Sequence, residues 1–292
     1  MGLRDLGFCV DAFAHGWPTA PLTGTASPTV LQVLSPGDVD ELMATRGLRV
    51  PSFRMARDGA LIPVSRYTVA PQKDARNPRN QLVDAAGVLK EMADGSTLIL
   101  QGLQLFHPPA GQLMRELADS LGTRVFINAF LTPPGAKGFG DHSDPYGAFL
   151  VQLAGKKIWK LRSFADEEPT TVTLGPRDVL WIPRGWRHDG QAAPDRASIH
   201  LTLAVRPLEA IDILNDIAGT VGRLLADEML PPLAGADPDD LRHQVETLVT
   251  KLAKAVGETD VDALVAHARA QSATALPAQV TTALGDDFGG PS

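Results

Sequence analysis

The stretch Ala148-Phe-Leu-Val-Gln-Leu-Ala-Gly-Lys-Lys-Ile-Trp-Lys-Leu161 decides the fold class. Ala148–Leu153 and Lys156–Leu161 read as strands, and Ala154-Gly155 between them is short enough to join two antiparallel neighbours as a hairpin. The same texture recurs outward in both directions. Upstream lie Thr97–Gln101 and Arg124–Leu131; downstream lie Thr171–Leu174, Asp178–Ile182 and Ser198–Val205, with Gly, Pro and Asp turns between them. Short β-branched runs punctuated in this way imply a barrel or sandwich. The expected architecture is mainly β with helices, a double-stranded β-helix or jelly roll.

The flanking regions differ. Residues 1–95 are mixed and are expected to support the barrel: a Pro/Thr/Gly-rich stretch from Trp17 to Pro28, a short strand at Val30–Leu34, a helix over Pro36–Thr45 started by Ser35 and Asp38, and a helix over Gln81–Ala93 stopped at Gly95. Within the barrel region, residues 96–206, a helix from Pro109 to Leu121 stops at Gly122. Residues 207–292 read as helical, with Leu241–Val256 and Val261–Ala270 as two of the helices and Asp286–Ser292 frayed. Ile211, Leu214, Ala218, Val221 and Leu225 fall on one stripe at helical spacing. That stripe caps the barrel or meets a second copy of the chain, and a homodimer surface is the preferred reading.

Composition narrows the function classes. With 292 residues and 44% hydrophobic content, the chain can bury a sizeable core. A net charge of −7 argues against general nucleic-acid binding. No apolar run reaches the length of a membrane span, and the charged N-terminus lacks a signal pattern, so the cytoplasm is the expected compartment. With Cys9 as the only cysteine, neither an internal disulfide nor a cysteine-ligated zinc site is possible.

The chemistry concentrates in a few residues. Asp144 follows His142 by two positions, so an extended backbone turns both side chains to one face. His188 comes 46 residues after His142, behind the turn Pro183-Arg184-Gly185. Two histidines and a carboxylate are the sequence form of a facial triad, which leaves open positions on an iron(II) ion. Strand alternation puts Lys157 with Trp159 and Leu161, a lysine on a face of large apolar groups. Either Lys157 snorkels to solvent or it awaits an anionic partner in the barrel interior, where an unpaired ammonium is costly. Asn128 shares a face with Phe126 and Phe130, and His200 shares one with Thr202. Such polar groups need hydrogen bonds from the protein or from a ligand.

Four segments together resemble the JmjC-type ribosomal oxygenases of the cupin superfamily: Asn128–Gly135, Gly138–Asp144, Phe149–Trp159 and Gly175–His188. Ser198–Thr202 continues the resemblance, and Pro51–Gly59 is similar to the segment before the barrel in bacterial members. The resemblance implies iron(II), with 2-oxoglutarate and O2 as cosubstrates, and hydroxylation of a protein side chain. It carries the iron ligands onto His142, Asp144 and His188, and the 2-oxoglutarate anchor onto Lys157, fifteen residues after the first ligand. A cofactor-side asparagine falls at Asn128. A serine of several relatives falls at Ala204, so that contact is either lost or taken over by Thr202. Pro145-Tyr146-Gly147 stands where relatives often carry a His-Asp pair, beside the open face of the metal, and the tail is shorter than a full winged-helix domain. Trp159, Phe130 and Trp186 are expected as apolar walls.

Three readings follow. The preferred one is a peptidyl hydroxylase acting on a protein such as a ribosomal protein. The second is a hydroxylase of a small molecule or biosynthetic peptide, and the third a metal-binding cupin without enzymatic activity. Fold alone does not choose among them.

Overall fold

The computed structural model describes residues 1–69, 81–165, 168–224 and 237–273. The described chain forms two compact units, one over residues 1–206 and one over 207–272.

The first unit is built on two antiparallel sheets. Its strands are β1 (Leu22–Thr25), β2 (Phe53–Arg57), β3 (Ala60–Leu61), β4 (Thr97–Leu100), β5 (Arg124–Thr132), β6 (His142–Ser143), β7 (Gly147–Ala154), β8 (Lys157–Arg162), β9 (Thr170–Leu174), β10 (Asp178–Ile182), β11 (Arg187–Ala192) and β12 (Ser198–Arg206). The larger sheet runs β1-β10-β7-β12-β5-β4-β2-β3 and the smaller β6-β11-β8-β9. This is the expected double-stranded β-helix. Its helices are the short α1 (Asp11–Ala14), then α2 (Pro36–Thr45), α3 (Ala85–Ala93) and α4 (Pro108–Leu121).

Two apolar clusters hold the unit together. On one face of β5, Val125, Ile127, Ala129 and Leu131 pack with Leu113, Met114 and Leu117 of α4 and with the N-terminal segment. Each fully buried leucine there contributes about 1.5–3 kcal/mol. A smaller cluster of Leu150, Trp159, Leu161, Leu174, Leu180 and Ile182 draws on β7 and β10 of one sheet and β8 and β9 of the other. Period-2 alternation therefore turns one face of β5 to the α4 core and frees the other for a cavity.

Several expectations are corrected. Val30–Leu34 is not a strand. Pro28–Gln32 forms a 3-10 turn, and Val30, Val33 and Leu34 are buried at helical rather than alternating spacing. The strand of this region is instead β1, whose Leu-Thr-Gly-Thr composition reads as loop and which forms because β10 offers it an edge. The helix expected from Gln81 begins at Ala85, where the Asp84 carboxylate accepts the Ala86 N–H; Leu82 and Val83 make isolated bridges to Arg49 and Thr68. The helix at Pro36–Thr45 forms as read, with a Ser35/Asp38 capping box, and the helix read from Pro109 starts one residue earlier, at Pro108, and ends at left-handed Gly122. Ala154-Gly155 does not close a hairpin. Both edges of β7 are already taken by β10 and β12, so the turn carries the chain into the other sheet, between β11 and β9. Gly155 has φ +64, and a Cβ there would lie 2.0 Å from the Ala197 carbonyl oxygen, so only glycine serves.

The second unit contains α5 (Ala210–Leu224), α6 (Pro238–Gly257) and α7 (Val261–Ala273). Along the expected stripe Val221 is buried, whereas Ile211, Leu214 and Ala218 are exposed. Leu225 and Asp286–Ser292 lie outside the described residues. No helix among the described residues is long and apolar enough to cross a membrane.

Candidate metal centre and cavity

His142 lies on β6 and His188 on β11, not merely after a turn as the sequence suggested. The two strands pair antiparallel with His188 opposite His142, and the ring centroids are 4.3 Å apart. Asp144 follows β6, and its Oδ2 lies 3.7 Å from His188 Nε2. The three residues offer one ligand atom each, all within 4.8 Å of one another.

Both imidazoles are oriented by the backbone. His142 Nδ1 lies 2.8 Å from the Gly140 carbonyl, and His188 Nδ1 lies 3.1 Å from the Trp186 carbonyl. A carbonyl oxygen only accepts, so each Nδ1 carries the proton and each Nε2 keeps its lone pair. This is the arrangement that fixes a ligating imidazole from behind. Burial, and then the neighbouring His142, push the His188 imidazolium below its usual range, which favours the neutral form. Two neutral imidazoles and a carboxylate at this spacing can hold a divalent transition metal with positions left open.

Behind the pair, Asp141 accepts from Arg187 Nη2 at 2.7 Å and Nε at 2.9 Å, and from Arg162 Nη2 at 2.9 Å. Burial of the Asp141 carboxyl raises its affinity for a proton, but the hydrogen bonds from Arg187 and Arg162 prevail and hold it below the usual carboxylate range. Because Asp141 precedes His142 and Arg187 precedes His188, this contact clips the two histidine-bearing strands together.

The triad opens into a cavity of about 480 Å³ between the sheets. The large sheet contributes Asn128, Phe130, His200 and Thr202, and the small sheet Lys157, Trp159 and Gly190. Gly190 is required by the packing, since a Cβ there would stand 2.6 Å from the Trp159 ring. Lys157 is 3% exposed, so it does not snorkel. Its Nζ donates to Thr132 Oγ1 at 3.3 Å and lies 5.2 Å and 5.9 Å from the Trp159 and Phe130 ring centroids. It forms no ion pair among the described residues, and burial brings its pKa down to about 7 despite the nearby Asp189.

Every site residue expected from the sequence therefore lines this one cavity. Asn128 is partly satisfied by the protein, because its Oδ1 accepts the Gly102 N–H at 3.0 Å. His200 is fully buried, stacks on Phe130 with centroids 4.8 Å apart, and has no partner for Nδ1 among the described residues. Burial, and then Lys157, push its imidazolium well below the usual range. Phe126 shares the face of Asn128 as read, at its exposed end. One apolar expectation fails: Trp186 does not line the cavity. Its Nε1 instead donates to the Thr19 carbonyl. Sequence reading missed Thr132 and Arg54. For Arg54 the signal was alternation, since Phe53 and Met55 on either side are fully buried.

Residues 104–213 match the JmjC domain family. This segment is a JmjC domain. It contains the three triad residues, Asn128, Lys157 and Thr202. The chain is 30% identical over 212 residues to a Branchiostoma floridae protein named bifunctional lysine-specific demethylase and histidyl-hydroxylase NO66, covering 66% of this chain and 34% of the relative. It is 28% identical over 165 residues to Danio rerio ribosomal oxygenase 1, covering 50% of this chain and 30% of the relative. The chain thus spans about a third of the length of the curated relatives it matches. Around the JmjC domain, the fold matches a structure of the Escherichia coli ribosomal oxygenase YcfD in complex with cobalt and 2-oxoglutarate. That match has a TM-score of 0.53 and 22% identity, over 82% of this chain and 66% of that one.

Proposed function

We propose that the protein is an Fe(II)- and 2-oxoglutarate-dependent oxygenase that hydroxylates a side chain of a protein or peptide. The observation that carries this reading is the pairing, in one cavity, of the His142/Asp144/His188 cluster with Lys157, a buried lysine that makes no ion pair among the described residues. Relatives named ribosomal oxygenase make ribosomal proteins the first substrate class to test.

The donor set fits iron(II), because both Nε2 atoms are free to ligate and Asp144 supplies the anionic oxygen. When bound, iron(II) with 2-oxoglutarate and dioxygen supplies the oxidant that puts one oxygen atom into a C–H bond, with succinate and carbon dioxide as the other products. The residues of the chain bind and orient. His142, Asp144 and His188 hold the metal. Lys157 and the hydroxyls of Thr132 and Thr202 receive the far carboxylate of the cosubstrate, and Asn128 has its amide N–H groups left to donate. Trp159 and Phe130 wall the cavity against water.

In this reading residues 1–95 support the barrel, 96–206 are catalytic, and 207–292 are an appendage whose exposed Ile211 and Leu214 meet a second copy. The cytoplasm is the proposed compartment. The net charge of −7 favours a protein over a nucleic-acid substrate.

The test is an anaerobic titration of iron(II)-loaded protein with 2-oxoglutarate, following the visible charge-transfer band of a chelated 2-oxo acid. The band is expected in wild type and absent in His142→Ala. Iron binding without a band overturns the oxygenase reading. Succinate release with ribosomal proteins, set against small metabolites, then identifies the substrate class.

A further inference from the structure

We infer that Arg54 is a substrate-recognition residue, receiving a carboxylate of the polypeptide beside the residue to be hydroxylated; this rests on the oxygenase reading of the cavity.

The placement follows from register. On β2, Phe53 and Met55 point into the apolar core, so Arg54 points to the opposite face. Across the sheet Arg54 pairs with Ile99, Ile99 with Phe130, and Phe130 with His200, so the row shares the cavity face. Strands are spaced about 4.8 Å apart, which puts Arg54 roughly 10 Å along this row from Phe130. Its guanidinium lies 4.9 Å from the Phe139 centroid, and Phe139 meets Phe130 and His142 edge-on. Two rings, Phe139 and Phe130, therefore separate Arg54 from Lys157.

Arg54 lines the cavity, and its Nε is buried without a partner among the described residues. Among the described residues its side chain makes no hydrogen bond or ion pair, and the ionisable groups that bear on its charge are the phenols of Tyr146 and Tyr67, not carboxylates. A guanidinium cannot shed its charge by losing a proton, so this half-buried cation, its Nε out of reach of solvent, gains from an incoming acceptor.

Charge selects the acceptor. In the loaded site the divalent metal, the Asp144 carboxylate, the 2-oxoglutarate dianion and the Lys157 ammonium sum to zero. The other lining carboxylate, Asp141, is engaged by Arg187 and Arg162, so Arg54 is the cavity charge that no ion pair among the described residues compensates. The planar fork of a guanidinium matches a carboxylate with two parallel N–H donors. Tyr146, in the same cavity, adds a neutral hydroxyl donor.

The test uses the full chain loaded with Mn(II) and N-oxalylglycine, presented with immobilised degenerate peptide pools. Pools with one position fixed as Asp or Glu and amidated ends are compared with Asn- or Gln-fixed pools, and with neutral pools bearing a free C-terminal carboxylate. Wild type is expected to retain one carboxylate-bearing set at least about tenfold over the amide set, and which set is retained tells side-chain from terminal carboxylate. R54Q is expected to lose that preference and R54K to recover part of it, both with wild-type melting curves. No preference in wild type, or a preference kept in R54Q, overturns the proposal. Titration of 2-oxoglutarate into the Mn(II)-loaded proteins separates the two readings. Failure of wild type to bind it overturns the oxygenase reading; failure of R54Q alone makes Arg54 a cosubstrate anchor and overturns this inference.

Discussion

His142 and His188 are register partners across a strand pair that is only two residues long on the β6 side. Backbone pairing, rather than loop packing, sets the separation of the two imidazoles. Each ring is then held from behind by a carbonyl two residues earlier in its own chain. The cluster is thus organised before any metal arrives.

His142→Ala and His188→Ala should each abolish tight divalent-metal binding while leaving the fold intact, because neither ring belongs to an apolar cluster. Calorimetric titration with Mn(II) and a thermal melt check this together. Tight binding in either variant removes that residue from the proposed ligand set.

Lys157→Met should weaken 2-oxoglutarate binding at least about 30-fold, the loss expected when one partner of a desolvated charge pair is truncated. The same change should stabilise the free protein. Burial lowers the ammonium pKa to about 7, below the ordinary 10.5, so the folded state binds fewer protons than the unfolded between these values. The lysine's destabilising effect is therefore full below pH 7 and fades as pH rises toward 10.5. Melting at pH 6.5 should move up by on the order of 5 °C in Lys157→Met, with the gap closing at alkaline pH. An equal or lower melting point would show that Lys157 is compensated in the free protein.

The affinity of metal-loaded protein for 2-oxoglutarate should fall with pH above 7. The free protein must take up a proton on Lys157 to meet the dianion, which costs up to about tenfold in affinity per pH unit. Dissociation constants at pH 6.5 and 8.5 should differ by about tenfold or more in wild type and little in Lys157→Met. A flat wild-type profile would assign the anchoring role to another group.

Arg187→Ala should lower metal affinity by about 10–100-fold without removing a ligand, the range seen when groups supporting ligands are lost. Asp141→Asn should do the same, and the double variant should lose little more, because both act through one contact. Additive losses would mean that Asp141 and Arg187 act independently.

Much of the site was legible because strand periodicity is a local property. His142 and Asp144 share a face at a spacing of two, and Lys157, Trp159 and Leu161 alternate inward as the burial of β8 bears out. Capping was equally local, so Pro36–Thr45 and the stop at Gly122 could be read directly. Pairing partners could not. Ala154-Gly155 has hairpin length, yet its strands join different sheets because β10 and β12, distant in sequence, occupy the edges of β7. Leu22–Thr25 has too little strand character to be read alone and becomes a strand only against β10.

The sequence by itself determined which residue types could do chemistry and which way each would face along its own strand. Only the tertiary structure decided which faces met. It buried Lys157 without an ion-pair partner among the described residues, set His188 opposite His142, and turned Arg54 from an ordinary charge beside Phe53 into a cavity residue. The reason is physical: a side chain's direction follows from the period of its own backbone, whereas its partners follow from non-local strand pairing.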